Sequence, residues 1–474
     1  MEKLRSETLY YNLVATKFEL PFLDDSGVSG PFEILAKNKF LFVSRCGIAT
    51  IAELRSDGFH IIEHKPLPNA KDVFCAGAES PAAVTTRLPN RLLFGVKGMK
   101  FDAARGRLFI DTQSIEDGHC LVVKVFEYPL TVAPFSLGAP TEIFSSPEKI
   151  PGSQGWFKSL FDCPNIESLI GTQAGGSISL DEIGNIYFSV GDFGFNIAAQ
   201  DAQSPYGKIL KFDGHSVSNY AIGLRNSEGL YFDPETKKLF DTDQGPKGGD
   251  ELNEVEQGDN FGWPISSYGI SYLHVGNADF RPARGEEQWG HHDFGKKPLF
   301  AYVPDIGVTD LTVVHTNSMF KDWGGSVLIA SLRGNGIYRV LLDDGRGMYS
   351  EPIINLKSRI RYLKQDSDGT LYAKADPDLF YVIQLDWPDV RREDPQIDRG
   401  SVILDEARTC ETCHLPHVSH AGIPDIYDLK LGEITSNLKR LATSETADPV
   451  MRGIAKALTP EEIRQLDSYF STFN

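Results

Sequence analysis

Between about residues 30 and 385, short runs rich in β-branched and aromatic residues alternate with turns of Asp, Gly or Asn. That is the pattern of antiparallel strands rather than of helices. Gly98-Met99-Lys100-Phe101-Asp102 turns at Arg105-Gly106 into Leu108-Phe109-Ile110, and Ser177-Ile178-Ser179-Leu180-Asp181 turns at Gly184-Asn185 into Ile186-Tyr187-Phe188-Ser189-Val190. Gly229-Leu230-Tyr231-Phe232-Asp233 leads through Pro234-Glu235 to Leu239-Phe240. Leu311-Thr312-Val313-Val314 with Ser326-Val327-Leu328-Ile329, and Arg361-Tyr362-Leu363 with Gly369-Thr370-Leu371-Tyr372, continue the series. The unit returns every several tens of residues, close to the length of a four-stranded blade, which predicts a six-bladed β-propeller. A β-sandwich or a pair of β domains would show the same hairpins and stays open on pattern alone.

The repeat ends after Tyr381-Val382-Ile383-Gln384-Leu385. A charged, proline-punctuated stretch follows, including Arg391-Arg392-Glu393-Asp394-Pro395, and reads as a linker. Beyond it the periodicity becomes helical. Thr459-Pro460-Glu461-Glu462 has Thr at the N-cap, Pro at the first helical position and Glu three residues after the cap, a capping box. Ile463, Leu466, Tyr469 and Phe470 then share one face. The expected organisation is a propeller over residues 1–385, a linker over 386–399 and a small all-α domain over 400–474.

Composition narrows the partners. Of 474 residues 41% are hydrophobic and 24% charged, an ordinary globular balance. The net charge of -18 disfavours nucleic acid and anionic membrane surfaces. No apolar run reaches the length of a bilayer span, and Glu2, Lys3, Arg5 and Glu7 precede no apolar leader region, so any signal peptide is expected to be missing from this sequence. Cys46, Cys75, Cys120 and Cys163 are scattered, with no spacing that pairs them.

Cys410-Glu411-Thr412-Cys413-His414 is different. Two thiols three positions apart can form thioethers to one haem while the adjacent His reaches the iron. A zinc half-site or a redox pair are the other readings of the spacing, and only His417 and His420 lie nearby as further zinc ligands. Met451 is the one methionine beyond the motif, and a thioether opposite an imidazole suits an electron carrier. A core methionine is its plain alternative. The ordered set formed by a helix at about Ser401 to Thr409, the C-x-x-C-H motif, Gly422-Ile423-Pro424, Met451 and a final amphipathic helix resembles a class I cytochrome c domain over residues 398 to 474. The resemblance implies covalent haem c with His414 and Met451 as iron ligands, and the Pro424 carbonyl accepting the His414 ring N–H.

In the large domain, Ala221-Ile222-Gly223-Leu224-Arg225-Asn226-Ser227-Glu228-Gly229, Asp243-Gln244-Gly245-Pro246-Lys247-Gly248-Gly249-Asp250-Glu251-Leu252-Asn253 and Asn260-Phe261-Gly262-Trp263-Pro264 resemble the soluble glucose/sorbosone dehydrogenase family of quinoproteins. These are six-bladed propellers that bind pyrroloquinoline quinone (PQQ), and the likeness covers most of residues 90 to 380. PQQ carries three carboxylates and an ortho-quinone, so its site needs several guanidinium or ammonium groups and a divalent cation. By the resemblance, Arg225, Asn226, Arg359 and Arg361 match the family's cofactor-binding residues. Arg333 falls where the glucose dehydrogenases carry Lys, preserving charge but not geometry. The carbonyls of Gly245 and Pro246 would hold Ca²⁺ beside PQQ, and Glu251 a second, structural calcium.

One position departs from the family. Its catalytic His aligns with Gln173, and the acidic neighbour with Thr172. A Gln has no useful basicity. One expectation is therefore a PQQ-dependent oxidoreductase of a sugar or other alcohol or aldehyde, with another base such as His119, His291, His292 or Asp192, passing electrons through its own haem to an external acceptor. The other is an altered propeller that binds carbohydrate or a protein and is tethered to an electron-carrying haem. Fusion to a cytochrome favours the first, because the haem gives a quinone an outlet. Covalent haem attachment in the resembling families is completed outside the bacterial cytoplasm, so a periplasmic or secreted location is expected.

Overall fold

A computed structural model of the chain describes residues 2–8, 10–23, 28–70, 95–116, 120–147, 173–269, 288–289, 291–386, 426, 429–444 and 449–471. The chain divides into two compact units, Met1–Trp387 and Pro388–Asn474. The first is a six-bladed β-propeller.

Blade 1 comprises Phe32–Ala36, Lys39–Val43, Ile48–Arg55 and Gly58–Pro66. Blade 2 comprises Gly95–Asp102, Arg107–Glu116 and Cys120–Val132, with Phe135–Leu137 and Thr141–Ser145 both paired to the long third strand. Blade 3 runs through Gly175–Leu180, Ile186–Val190, Lys208–Phe212 and Val217–Ile222. Blade 4 runs through Ser227–Asp233, Lys238–Asp243, Asp250–Val255 and Phe300–Tyr302. Blade 5 is Val308–Val313, Val327–Ser331, Gly336–Asp343 and Arg346–Asn355. Each hairpin named from the sequence is an observed first-to-second strand pair, and the first strands of neighbouring blades pack on one another around a central channel.

The turn chemistry explains why the hairpins were legible. An Asp at or just past the end of the first strand bends its carboxylate back onto the turn, as Asx residues do. Asp181 accepts the N–H groups of Gly184 and Asn185 at 2.9 and 2.8 Å. Asp233 accepts those of Glu235 and Thr236 at 3.2 and 3.0 Å, and Asp366 those of Asp368 and Thr370 at 3.1 and 3.0 Å.

Blade 6 carries the ring closure, which the repeat pattern did not reveal. Ile360–Gln365, Leu371–Ala375 and Leu379–Leu385 are completed by Asn12–Glu19, paired in register from Leu13 opposite Leu385 to Glu19 opposite Leu379. Glu2–Glu7 adds an outer edge. Leu13 and Ala15 are fully buried in the core that blade 6 shares with blade 5. Tyr11 packs edge-on to Trp323 at 4.9 Å, and its hydroxyl donates to Asp322 at 2.8 Å. Arg339 lies over the rings of Tyr10 and Trp323 at 5.4 and 5.3 Å. The strand that closes the ring is thus stapled to blade 5 as well.

Cys46 and Cys120 are each disulfide-bonded, which no sequence spacing announced. The linker beyond Asp386, the helix expected near Ser401 to Thr409, Cys410, Cys413, His414, His417, His420 and Pro424 lie outside the described residues.

The second unit contains helices α1 (Glu433–Thr443), α2 (Pro449–Ala457) and α3 (Pro460–Ser471). Ile434, Leu438, Ala455, Ile463, Leu466 and Phe470 form its core, with Met451 and Tyr469 packed partly buried against it. The capping box is present: Thr459 N–H donates to Glu462 at 2.6 Å and Glu462 N–H to the Thr459 hydroxyl at 3.2 Å. Helix α1 begins after Gly432, which has no side chain to cap it, so its free N–H groups are answered from α3. The buried Asp467 carboxylate accepts from Gly432, Ile434 and Thr435 at 2.7, 3.0 and 3.3 Å, where the helix dipole also favours negative charge. Replacing Asp467 by Ala should destabilise this unit by about 1–2 kcal/mol, measured as a lower midpoint of its helical circular-dichroism transition, with the propeller transition unchanged.

Candidate active site

In an antiparallel blade the start of the first strand and the end of the second lie at the same end. The registers Gly95 opposite Gln113, Gly175 opposite Val190, Ser227 opposite Asp243, Val308 opposite Ser331 and Ile360 opposite Ala375 make this explicit. Residues just before or after these pairs therefore gather on one rim of the ring. Blades 2 to 6 also carry a register irregularity in the first strand at this end, the kind of bulge that re-aims side chains. Gln173, Asp192, Arg225, Asn226, Gly245, Pro246, Arg333, Arg359 and Arg361 all belong to this rim.

The rim opens into a cavity of about 260 Å³ lined by the first strands of all six blades, with Arg45, Lys97, Glu228 and Arg361 towards the rim. Deeper, Glu33 faces Lys364 at 3.1 Å and Lys100 at 3.9 Å. Lys97 and Arg45 were not singled out from the sequence. Neither stands in a recognisable motif, and only the blade geometry brings them together. Burial, with Arg45 and Arg361 alongside, pushes the Lys97 amine down to about 7.

Arg225 and Asn226 are held by their backbones. Both N–H groups donate to the buried Asp243 carboxylate, at 2.9 and 2.6 Å. The Arg225 guanidinium donates to the carbonyls of Gln244 and Gly245 at 2.6 and 2.9 Å and lies 5.8 Å over the Trp263 ring. Asn226 accepts from Gly175 N–H at 3.0 Å and donates to Glu228 and Gln244 at 2.8 and 3.1 Å.

Gln173 sits between opposite charges. In the amide orientation that satisfies it, its nitrogen donates to Asp192 at 2.6 Å and its oxygen accepts from Arg225 at 2.5 Å. Asp192 is fully buried, and burial pushes its carboxyl up to about 6. It receives Trp263 Nε1–H at 2.7 Å and Gly194 N–H at 2.8 Å as well as Gln173, and Asn196 at 3.2 Å in its satisfied orientation. With that many donors, Asp192 tethers the rim and has no lone pair aimed into the cavity. Of the other bases considered, His291 is exposed, whereas His292 is buried with its Nε2 3.6 Å from Glu251. His119 and Thr172 lie outside the described residues.

Arg361 donates from Nε to both oxygens of Asp376 at 2.7 and 2.9 Å, and the half-exposed Arg359 reaches the same carboxylate at 3.7 Å. Two guanidinium groups thus share one carboxylate and leave a positive surplus. Arg333 is largely exposed and donates to both oxygens of Asp305 at 2.7 Å. Asp305 also accepts Gly248 N–H at 3.0 Å, which ties Arg333 to the loop of Gly245 and Pro246.

The cation surplus fits a polycarboxylate cofactor. The carbonyls of Gly245 and Pro246 and the buried Glu251 are hard oxygen donors suited in kind to calcium, although the Gly245 carbonyl already accepts from Arg225. Among the described residues no cluster of three or more acidic, His or Cys side chains is arranged around a metal.

The family comparison falls on these same strands. Residues 157–380 match the family model of Glucose / Sorbosone dehydrogenase. Among curated proteins, the chain is 28% identical over 262 residues to an uncharacterized protein of Synechocystis sp., covering 52% of this chain and 59% of that protein. It is 24% identical to the aldose sugar dehydrogenase YliI of Escherichia coli, covering 44% of this chain and 58% of that one. It is 23% identical to quinoprotein glucose dehydrogenase B of Acinetobacter calcoaceticus, covering 45% and 59%. The chain thus spans under three fifths of the length of these relatives. Among solved structures, a glucose dehydrogenase superposes with a TM-score of 0.59 at 19% identity, over 78% of this chain and 98% of that one. The PQQ-bound aldose sugar dehydrogenase of Streptomyces coelicolor gives 0.51 at 18% identity over 78% and 98%. These two likenesses establish the fold.

Asp243 is the single acceptor for two buried N–H groups on the rim. Replacing it by Ala should cost about 2 kcal/mol or more, read as a lower denaturant midpoint of the propeller transition at unchanged m-value.

Proposed function

We propose that the propeller, over residues 1–385, is a PQQ-dependent oxidoreductase of the glucose/sorbosone dehydrogenase family that oxidises a sugar or another alcohol or aldehyde. Residues 400–474, joined through a linker at 386–399, would be a haem c domain passing electrons to an external acceptor. The observation that carries the reading is the gathering of Arg225, Arg333, Arg359 and Arg361, which lie within the residues that match the family model, with Lys97 and Arg45 on one rim of the ring. Arg359 and Arg361 suit the cofactor carboxylates, because the two guanidinium groups share Asp376 between them. Arg225 and Asn226 are rigid enough to orient a quinone, being fixed through Asp243 and Gln173. Bound there, the ortho-quinone would supply the two-electron acceptor for substrate hydride. Gly245 and Pro246 would offer carbonyls to its calcium, and Glu251 a carboxylate to a second. Cys410 and Cys413 would carry the haem, with His414 and Met451 on its iron.

The disulfides of Cys46 and Cys120 support an oxidising compartment, in keeping with a periplasmic or secreted protein. The alternative reading, a propeller that binds carbohydrate or protein without turning it over, is favoured by one observation: Gln173 is held by Asp192 and Arg225 and has no basicity to lend.

The deciding experiment follows haem absorbance in the holo-protein, with PQQ and Ca²⁺ added, while aldoses, alcohols and aldehydes are supplied as the sole reductant. Reduction that requires both PQQ and one substrate is expected. A haem reduced by dithionite but by no substrate, in a protein that binds no PQQ, would transfer the propeller to the binding-module reading. In addition, Arg359→Ala combined with Arg361→Ala should weaken PQQ binding by on the order of tenfold to a hundredfold, measured by titration of cofactor absorbance.

A further inference from the structure

Blades 2 to 6 each carry one extra residue near the rim end of the first strand, where its pairing with the second strand shifts register. A bulge re-aims the side chain that it leaves unpaired. Here the re-aimed side chains meet: Lys97 of blade 2, Glu228 of blade 4, Asp310 of blade 5 and Arg361 of blade 6 all line the cavity, and blade 3 contributes Gly176 and Ser177. In blade 4 Ser227 pairs with Asp243 and Gly229 with Thr242, so Glu228 stands alone between two paired residues. Gly229 keeps this bulge close against blade 5, since a Cβ there would lie 2.5 Å from the Thr309 carbonyl oxygen.

The bulges thus bring two carboxylates to the cavity, and these are held differently. Asp310 accepts Leu311 N–H on one oxygen and Leu363 N–H on the other, both at 3.0 Å, and so ties blade 5 to blade 6. Glu228 accepts the Asn226 side-chain N–H on Oε1 at 2.8 Å, and its Oε2 has no hydrogen-bond partner among the described residues. The Asn226 amide is itself fixed. Its oxygen accepts Gly175 N–H at 3.0 Å, its nitrogen also donates to Gln244 at 3.1 Å, and its backbone N–H is held by Asp243. One amide therefore links the Glu228 carboxylate to Gly175, two residues beyond Gln173, the position where the family resemblance expects a base. A carboxylate with one oxygen anchored and the other open on a cavity is suited to receive a proton there.

We propose that Glu228 is the proton acceptor of the oxidation. The inference rests on the dehydrogenase reading above. As hydride leaves the substrate carbon for the quinone oxidant, the hydroxyl proton passes to Glu228 Oε2. The alcohol or hemiacetal becomes a carbonyl, having lost two electrons with its hydride, and the carboxylate becomes a carboxylic acid that returns its proton to water before the next turnover. Gln173 remains a link between Asp192 and Arg225. The base then stands on the blade 4 bulge instead of on the segment that leads into blade 3.

The test begins with the full chain free of cofactor. A carbodiimide with an added amine should couple to Glu228, read by mass spectrometry of the peptide that carries it. PQQ with Ca²⁺ should protect it while the exposed Glu256 is labelled as before. A Glu228 that is not labelled, or that bound PQQ leaves unprotected, would overturn the proposal. Glu228→Gln keeps the size of the side chain and an oxygen for Asn226 but cannot take the proton. It should lower kcat by on the order of a hundredfold or more, with PQQ affinity retained in a titration of cofactor absorbance. Glu228→Ala should be as slow and should regain turnover as formate or acetate is added, because a small carboxylate can take the vacated place. It also serves as the second variant should Glu228→Gln fail to fold. Wild-type turnover in either folded variant, or an alanine variant that no added carboxylate rescues, would overturn the base assignment while leaving the dehydrogenase reading intact. A wild-type chain that binds no PQQ would overturn both.

Discussion

Buried carboxylates that receive backbone N–H groups hold the rim in place. Strand starts at the end of a propeller blade leave N–H groups facing neither a ladder partner nor water, and such groups are costly unless something accepts them. Asp243 accepts Arg225 and Asn226. Asp250 accepts Ile306, Gly307 and Val308 at 3.0, 2.7 and 3.2 Å, with Gly245 N–H at 3.2 Å on its other oxygen. The first ties the Arg-Asn pair to blade 4, and the second sews blade 4 to blade 5 beneath the Gln244–Gly249 loop. Burial pushes both carboxyls upward, Asp250 to about 6. The N–H donors oppose that shift by favouring the charged form.

Much of the architecture was legible because it is local. An Asp that closes a hairpin, a Gly at the turn and an alternating strand all lie within a dozen residues, and so does the Thr459–Glu462 capping box. Features that depend on distant residues left no such trace. Asn12–Glu19 reads as one more alternating run, and nothing in it points to a partner at Leu379–Leu385. Asp467 shares the α3 face of Ile463 and Phe470, yet nothing in the sequence shows that it caps a helix that begins more than thirty residues earlier.

The candidate site divides in the same way. Arg225, Asn226, Arg359 and Arg361 were found because they sit in short ordered motifs. Lys97 and Arg45 were not, because neither stands in such a motif. Asp192, offered as one of several alternative bases, is engaged by its donors as a tether of the rim. Only the three-dimensional count of partners separates a carboxylate that works on substrate from one that holds a loop.

Charge is distributed unevenly along the channel, and this has a chemical consequence. Deep in the channel, Glu33 and Asp310 face Lys100 and Lys364, so two carboxylates answer two ammonium groups. Near the rim, the described residues set Arg45, Arg359 and Arg361 against Glu228 and Asp376, and burial pushes the nearby Asp111 carboxyl well above its ordinary range. Among the described residues guanidinium groups thus gather at the mouth and paired charges lie below it, which favours holding a polycarboxylate at the top of the channel rather than drawing it in.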